Sequence, residues 1–168
     1  MGFVIIFISA YIHTDDSVVT LLIQQGWVQL HINIVEVLYL FWFSVPAILG
    51  IAEIMLANNI CDIEDDFENR RYTLPVYIDK KNAILLFNLL YYVSFIDLIV
   101  LLLLGVNVLL VLLLLLTLIP LRKNMAVFAK NQDKATTFIL SVKNFVLMNV
   151  ARILVLGIAI LLKSLELR

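Results

Sequence analysis

Residues 58–75 read NNICDIEDDFENRRYTLP, and five acidic side chains, Asp62, Glu64, Asp65, Asp66 and Glu68, crowd this one segment of an otherwise greasy chain. Hydrophobic residues make up 63% of the 168 positions and charged residues 15%, with a mean hydropathy of +1.05. An ordinary soluble domain is roughly half apolar, so this composition describes a protein embedded in a bilayer. The net charge of -1 offers none of the basic surface that nucleic acid requires, and no nucleic-acid partner is expected. A single cysteine, Cys61, rules out an intrachain disulfide or a thiolate metal cluster. Flanked by acids, it lacks the electropositive setting of a reactive thiol and reads as a small residue compatible with a helix.

Working outward from the acidic stretch, residues 32–57 form one spanning segment rich in aromatics. It is preceded by HTDDSVVTLLIQQGWVQLH (residues 13–31), a mixed sequence suited to an interface. On the other side, residues 83–121 contain one ionisable group, Asp97. As a straight helix this run would be roughly twice the hydrocarbon thickness. It must turn back on itself, and Gly105-Val106-Asn107 is where the sequence allows it, giving spans at about 83–104 and 108–121. A last span follows at about 145–162. Residues 1–12 are apolar but too short to cross a bilayer, and they lack the basic start and small-residue cleavage site of a signal peptide. They read as half of a span. The expected architecture is all-α, a single multi-pass transmembrane helical bundle with polar loops at 58–82 and 122–143.

Orientation can be read from lysine and arginine, which favour cytoplasmic loops. The two polar loops are separated by two spans and share a side. They hold Arg70, Arg71, Lys80, Lys81, Arg122, Lys123, Lys130, Lys134 and Lys143, whereas residues 13–33 and the Gly105 turn hold no Lys or Arg. A cell-membrane protein with its acidic motif facing the cytoplasm is the expectation. Only the tail KSLELR (residues 163–168) runs against it.

If the helix of residues 32–57 continues past the membrane edge, Asn58, Asp62 and Asp66 recur at i, i+4 and i+8 and stack on one face, with Asp65 able to join them. Like charges at this spacing destabilise a helix by a few tenths of a kcal/mol per pair, so a cation should compensate. Two are available. Arg70 and Arg71 could neutralise a solvated polar collar, or a divalent cation could sit between hard oxygen ligands. Mg²⁺ suits the second case, because it binds through one or two carboxylates and shares its other positions with phosphates and water. Asn58 and Asn59 would add neutral oxygens and amide donors to the same face.

The segment LANNICDIEDDFENRRYTLPVYIDKKNA (residues 56–83) resembles the second aspartate-rich motif of the UbiA superfamily of intramembrane prenyltransferases. It is most similar to the branch that prenylates 1,4-dihydroxy-2-naphthoate in menaquinone synthesis. Asn58, Asn59, Asp62, Asp66, Glu68, Asn69, Arg71, Thr73 and Leu74 fall on the pattern of that branch, with Glu64 where aspartate is usual. The resemblance implies the C-terminal half of a nine-helix fold. It implies that Asp62 and Asp66 bind Mg²⁺ bridging to a polyprenyl diphosphate, that Asn58 supports them, and that Arg71 contacts diphosphate oxygens, for which a planar guanidinium is well shaped. The implied reaction ionises the allylic diphosphate, and the carbocation is attacked by an electron-rich ring carbon of an aromatic acceptor. Three residues depart from the pattern: Arg70 where glycine is common, Tyr72 where lysine is common, and Asp79 where glycine precedes the basic residue. Arg70 could take over the diphosphate contact of the absent lysine.

The family carries two such motifs facing one central cavity, and this sequence supplies the second alone. HTDDS (residues 13–17) lies on the wrong side with the wrong spacing. Together with the half-span at residues 1–12, this makes a missing N-terminal half the expectation, and a chain whose catalytic competence alone is open. A non-catalytic membrane remnant, or a subunit that needs a partner, is the rival reading. A small transporter built on Glu36, Asp97 and Arg152 is a third, although intramembrane charges of this kind also pair with one another or snorkel to the interface. Glu53 reads as a wall of the diphosphate site or as a residue near the membrane edge. His13 and His31 read as interfacial.

Overall fold

A computed structural model of the chain describes residues 4, 8, 19–24 and 27–166. The half-span read at residues 1–12 lies outside the described residues except for Val4 and Ile8, which are helical and exposed; His13 and HTDDS also lie outside. The chain divides into two compact units, residues 1–48 and 49–168.

The first unit contains a β-hairpin that the helical pattern did not anticipate. Strand β1 (Val19–Gln24) pairs antiparallel with β2 (Trp27–Ile32), in a register running from Val19 opposite Ile32 to Gln24 opposite Trp27. Its residues are rich in the β-branched and aromatic types that suit a pleated surface. Ile23 is 69% exposed and Trp27 77% exposed. This leaves bare apolar surface on a lone hairpin, an element that is marginal in water. After it, Asn33 caps helix α1 (Ile34–Cys61), its Oδ1 accepting from the backbone N–H groups of Val35 at 3.2 Å and Glu36 at 3.4 Å.

The second unit is a helical bundle. After α1 come α2 (Ile63–Glu68), α3 (Leu74–Ile78), α4 (Lys80–Val93), α5 (Asp97–Leu103), α6 (Val108–Leu116), α7 (Leu118–Lys130) and α8 (Ile139–Glu166). Four stretches are long and apolar enough to cross a membrane: Ile34–Cys61, Lys80–Leu103, Val108–Lys130 and Ile139–Leu165. Helix runs through much of the polar connections at 58–82 and 122–143. α1 continues to Cys61, α7 reaches Lys130 and α8 begins at Ile139. Hydropathy marks where hydrocarbon ends, but the i to i+4 backbone bonds of a helix continue into water wherever no breaker intervenes.

The turn between the second and third spans follows from one glycine. Gly105 has φ +79°. The Val106 N–H donates to the Leu101 carbonyl and the Gly105 N–H to the Leu102 carbonyl, both at 3.0 Å. These are the two bonds of a Schellman C-cap, whose left-handed position glycine occupies without a Cβ clash. Asn107 then caps α6, accepting the Leu109 N–H at 2.9 Å. The core gathers Ala57 and Ile60 of α1, Phe87 and Tyr91 of α4, Leu101 of α5, Leu114 of α6, Leu121 and Phe128 of α7 and Met148 of α8. The Phe87 and Phe128 rings lie 4.7 Å apart and those of Phe87 and Tyr91 5.0 Å apart. Gly50 lets α1 approach α8 closely, since a Cβ there would stand 2.5 Å from the Phe145 ring.

Candidate functional site at the polar end of the bundle

At the end of α1 the backbone turns at Asp62 (φ -97°, ψ 7°) and restarts as α2. The helical stacking survives this break. The Asp62 N–H donates to the Asn58 carbonyl at 3.1 Å and the Asp66 N–H to the Asp62 carbonyl at 2.7 Å. Asn58, Asp62 and Asp66 are therefore linked by two successive i to i+4 bonds, the spacing on which the sequence reading rested. Asn58 Nδ2 donates to Asp62 Oδ2 at 3.3 Å. Asp66 is buried, and its Oδ2 accepts from the Thr73 hydroxyl at 3.1 Å.

The segment after α2 closes on Asp66. The Arg71 N–H donates to the Asp66 carbonyl at 2.7 Å and the Arg70 N–H to the Phe67 carbonyl at 3.2 Å. This is the same pair of bonds as at Gly105, but Arg70 occupies the left-handed position, with φ +55°. Asp79, between α3 and α4, has φ +69° and ψ 151°, a region that is nearly exclusive to glycine. Among the described residues these are the two non-glycine positions with positive φ.

The compensating cation is not the one anticipated at the sequence level. Arg70 and Arg71 are exposed and make no ion pair with the acids among the described residues. Instead Lys134, in the connection between α7 and α8, places its ammonium 2.5 Å from Asp62 Oδ2. That connection is built by Asp133. Its Oδ2 accepts from the Thr136 N–H at 2.9 Å and from the Thr136 hydroxyl, while the Thr137 hydroxyl accepts the Asp133 N–H at 2.9 Å. Hydrogen bonding from Thr136 holds the Asp133 carboxyl below the usual carboxylate range, and hydrogen bonding to Asp62 raises the Lys134 ammonium above the usual lysine value. The ion pair joins the two polar connections at one end of the bundle, as two intervening spans require. Sequence could place both connections on one side, but it carried no signal singling out Lys134 among their basic residues.

Among the described residues no three His, Cys, Asp or Glu side chains are grouped to hold a metal ion. Asp62 and Asp66 make a two-carboxylate set on one face, with Glu64, Asp65 and Glu68 exposed around it. Such a set fits Mg²⁺ only where phosphate oxygens and water complete an octahedral shell.

Deeper in the bundle, a separate buried polar layer involves the intramembrane ionisable residues. Arg152 Nε lies 2.8 Å from Asp97 Oδ2 and Nη2 3.0 Å from Oδ1; Nη2 also donates to the Ser94 carbonyl at 2.8 Å. The Ser94 carbonyl is free to accept because the chain tightens there into i to i+3 bonds. The Leu98 N–H turns to the Phe95 carbonyl instead. Asp97 and Arg152 thus pair with each other. Glu53, at 0% exposure, has no hydrogen-bond partner for either carboxyl oxygen among the described residues. Glu36 lies in the first turn of α1, and His31 is exposed on β2.

No family model matches the chain, and no curated protein or solved structure is detectably similar to it.

Proposed function

We propose that the chain is a UbiA-type intramembrane polyprenyltransferase segment that acts around its second aspartate-rich motif. On this reading it transfers a polyprenyl group from a polyprenyl diphosphate to an aromatic quinone precursor. The acceptor suggested by the motif is 1,4-dihydroxy-2-naphthoate, of menaquinone synthesis. The acidic end faces the cytoplasm, as the distribution of lysine and arginine argues.

The observation that carries the reading is a backbone one. The motif expects glycine at two places where this chain has Arg70 and Asp79, and those are the two non-glycine residues that adopt positive φ among the described residues. A conformation suited to glycine, held at both departures, supports a motif whose backbone persists after its glycines have been replaced. The continuous face of Asn58, Asp62 and Asp66 adds to it.

Asp62 and Asp66 would hold Mg²⁺, with Asn58 fixing the Asp62 carboxylate and Thr73 fixing that of Asp66. When bound, the metal neutralises charge on the diphosphate leaving group. Arg70 and Arg71, both exposed beside the motif, would take diphosphate oxygens in bidentate fashion. The exposed apolar helix faces leave the prenyl chain in lipid, where it is soluble.

The test is an assay of membranes containing the full chain, with radiolabelled polyprenyl diphosphate and dihydroxynaphthoate, with and without Mg²⁺. Lipid-soluble labelled product that requires the metal and is lost in Asp62→Asn and Asp66→Asn supports the reading. A specific observation favours one rival, a non-catalytic membrane protein or partner-dependent subunit: Lys134 gives Asp62 a compensating cation from within the chain. That rival expects no product from this chain and an Asp62→Asn variant with unaltered behaviour.

A further inference from the structure

We infer that the hairpin of β1 and β2 is a lipid-binding surface: one face lies on the acyl boundary of the bilayer beside the start of α1, and the other meets headgroups and water. The inference goes beyond the diphosphate reading and does not depend on it, because no residue of the aspartate-rich motif enters the argument.

The register assigns the faces. Directly paired residues of an antiparallel ribbon point to the same side, and neighbours along a strand point to opposite sides. Ile23 pairs with Val28, so these two share a face with Leu30 and Ile32, which follow Val28 at every second position of β2. All four are aliphatic and more than half exposed, from Ile32 at 52% to Ile23 at 69%. Leu22 pairs with Gln29, which puts Leu22, Trp27, Gln29 and His31 on the opposite side. That side carries an indole, an amide and an imidazole that can hydrogen-bond to water or headgroups.

What covers the aliphatic face follows from where the hairpin is tied. Ile32 ends β2 and Ile34 begins α1, so a single residue joins them. That residue, Asn33, is committed as the helix cap, which leaves the joint no slack. Because α1 is long and apolar enough to cross a membrane, the hairpin departs within one residue of the hydrocarbon edge. Residues 17–35 contain no Asp, Glu, Lys or Arg. Such a surface offers nothing to a charged headgroup or an oppositely charged protein, whereas aliphatic side chains at a membrane edge gain from burial among acyl chains. Trp27, on the other side, is of the type that favours the membrane interface.

The backbone limits how deep the hairpin can go. A two-stranded sheet has two open edges, and unpaired N–H and C=O groups are costly in hydrocarbon. The edges must stay among hydrated headgroups while the aliphatic face dips below them, to about the 5–10 Å reached by amphipathic surface helices. Held at that level and joined to α1 without slack, the hairpin fixes the height at which the first long span enters the bilayer.

The experiment uses the full chain in nanodiscs of zwitterionic lipid, with Cys61→Ser and a nitroxide on a single introduced cysteine: Val28→Cys, Gln29→Cys, Leu30→Cys or His31→Cys. Collisions with oxygen, which partitions into the bilayer, and with a water-soluble nickel chelate report depth by electron paramagnetic resonance. Labels at Val28 and Leu30 are expected to favour oxygen and to lie about 5–10 Å below the phosphates. Labels at Gln29 and His31 are expected to favour the nickel chelate, so that accessibility alternates residue by residue. Anionic lipid should leave the pattern unchanged, since the segment has no basic side chain to respond; a pattern that needs anionic lipid overturns the proposal. A doubly labelled Ile23→Cys, Val28→Cys chain checks the pairing in the same membranes, and a long separation overturns the proposal because the faces would not exist. With the pairing present, access of the nickel chelate to all four sites overturns it in favour of a hairpin free in water. Exclusion of both reagents from Val28 and Leu30 overturns it in favour of cover by protein, either a second copy or another part of the chain.

Discussion

Arg152 closes on Asp97 with two parallel hydrogen bonds, Nε to Oδ2 at 2.8 Å and Nη2 to Oδ1 at 3.0 Å, joining the second and fourth spans where neither side chain is accessible. The guanidinium also lies 5.0 Å from the Phe95 ring centroid and donates to the Ser94 and Met148 carbonyls. Removing one partner leaves the other charged and buried. Arg152→Met should therefore destabilise the bundle by about 3–5 kcal/mol, whereas the double variant Asp97→Leu with Arg152→Met should recover most of that loss. Arg152→Lys should behave more like the methionine variant, because an ammonium cannot make the two-pronged contact. Denaturant unfolding in mixed micelles measures all three, and equal destabilisation of the single and double variants would contradict the pairing.

Asp79 and Arg70 predict the opposite sign. Each holds a conformation that disfavours a side chain at a cost of order 1–3 kcal/mol, against which glycine adds about 0.5–1 kcal/mol of unfolded-state entropy. Asp79→Gly should stabilise the protein by about 1 kcal/mol, and Asp79→Ala should give no such gain, since alanine keeps the Cβ. A melting temperature for Asp79→Ala as high as that for Asp79→Gly would show that strain at this position is not the cause.

Close approach of α1 and α8 at Gly50 gives a third test. Gly50→Ala would drive a methyl group into the Phe145 ring, and overpacking of this kind costs typically about 1–3 kcal/mol. Pairing Gly50→Ala with Phe145→Leu should relieve part of the cost, with a coupling of at least about 0.5 kcal/mol in a double-mutant cycle. Additive effects would mean that the two positions do not meet.

The connection carrying Lys134 should respond to acid in a defined direction. Asp133 is held below its ordinary value of 3.8 by hydrogen bonds from Thr136. A depressed folded-state value means that its contribution to the order of this connection is present above the ordinary value and lost as pH falls through the lower folded one. Amide exchange at Thr136 should thus stay protected on acidification to about pH 4 and rise only below it. In Asp133→Ala the protection should be missing at neutral pH as well. Protection that disappears already between pH 6 and 5 would point to some other group.

The helical bundle was legible in the sequence because hydrophobic runs of about 20 residues admit little else in a bilayer. The fold-back at Gly105 was legible for the same reason of length, and Asn58, Asp62 and Asp66 could be set on one face by spacing alone. Other features were beyond such reasoning. The strands Val19–Gln24 and Trp27–Ile32 lie in sequence read only as mixed and suited to an interface, and their register depends on cross-strand pairing that no local pattern states. The extent of helix beyond the hydrocarbon, at Cys61 and Lys130, is set by where backbone bonds end, not by polarity. Lys134 was invisible as a partner of Asp62, since 72 residues separate them and several basic side chains could have filled the role. Positive φ at Arg70 and Asp79 was foreshadowed only by the glycines that the resemblance expects there.

The pairing of Asp97 with Arg152 also has a consequence for biogenesis. Asp97 is made 55 residues before its partner, which at ordinary rates of synthesis is a delay of roughly 3–11 seconds. During that interval the second span must enter the membrane with an acid in its last third and no guanidinium to meet it, against an insertion cost of at most about 2.5–3.5 kcal/mol, the value for a helix centre. The apolar run of Leu98 to Leu104 on that same span is what carries the acid in. The final helix then acts as the closing bolt of assembly, and a ribosome stalled before residue 152 would leave a half-built bundle displaying a carboxylate to whatever quality-control machinery patrols the bilayer.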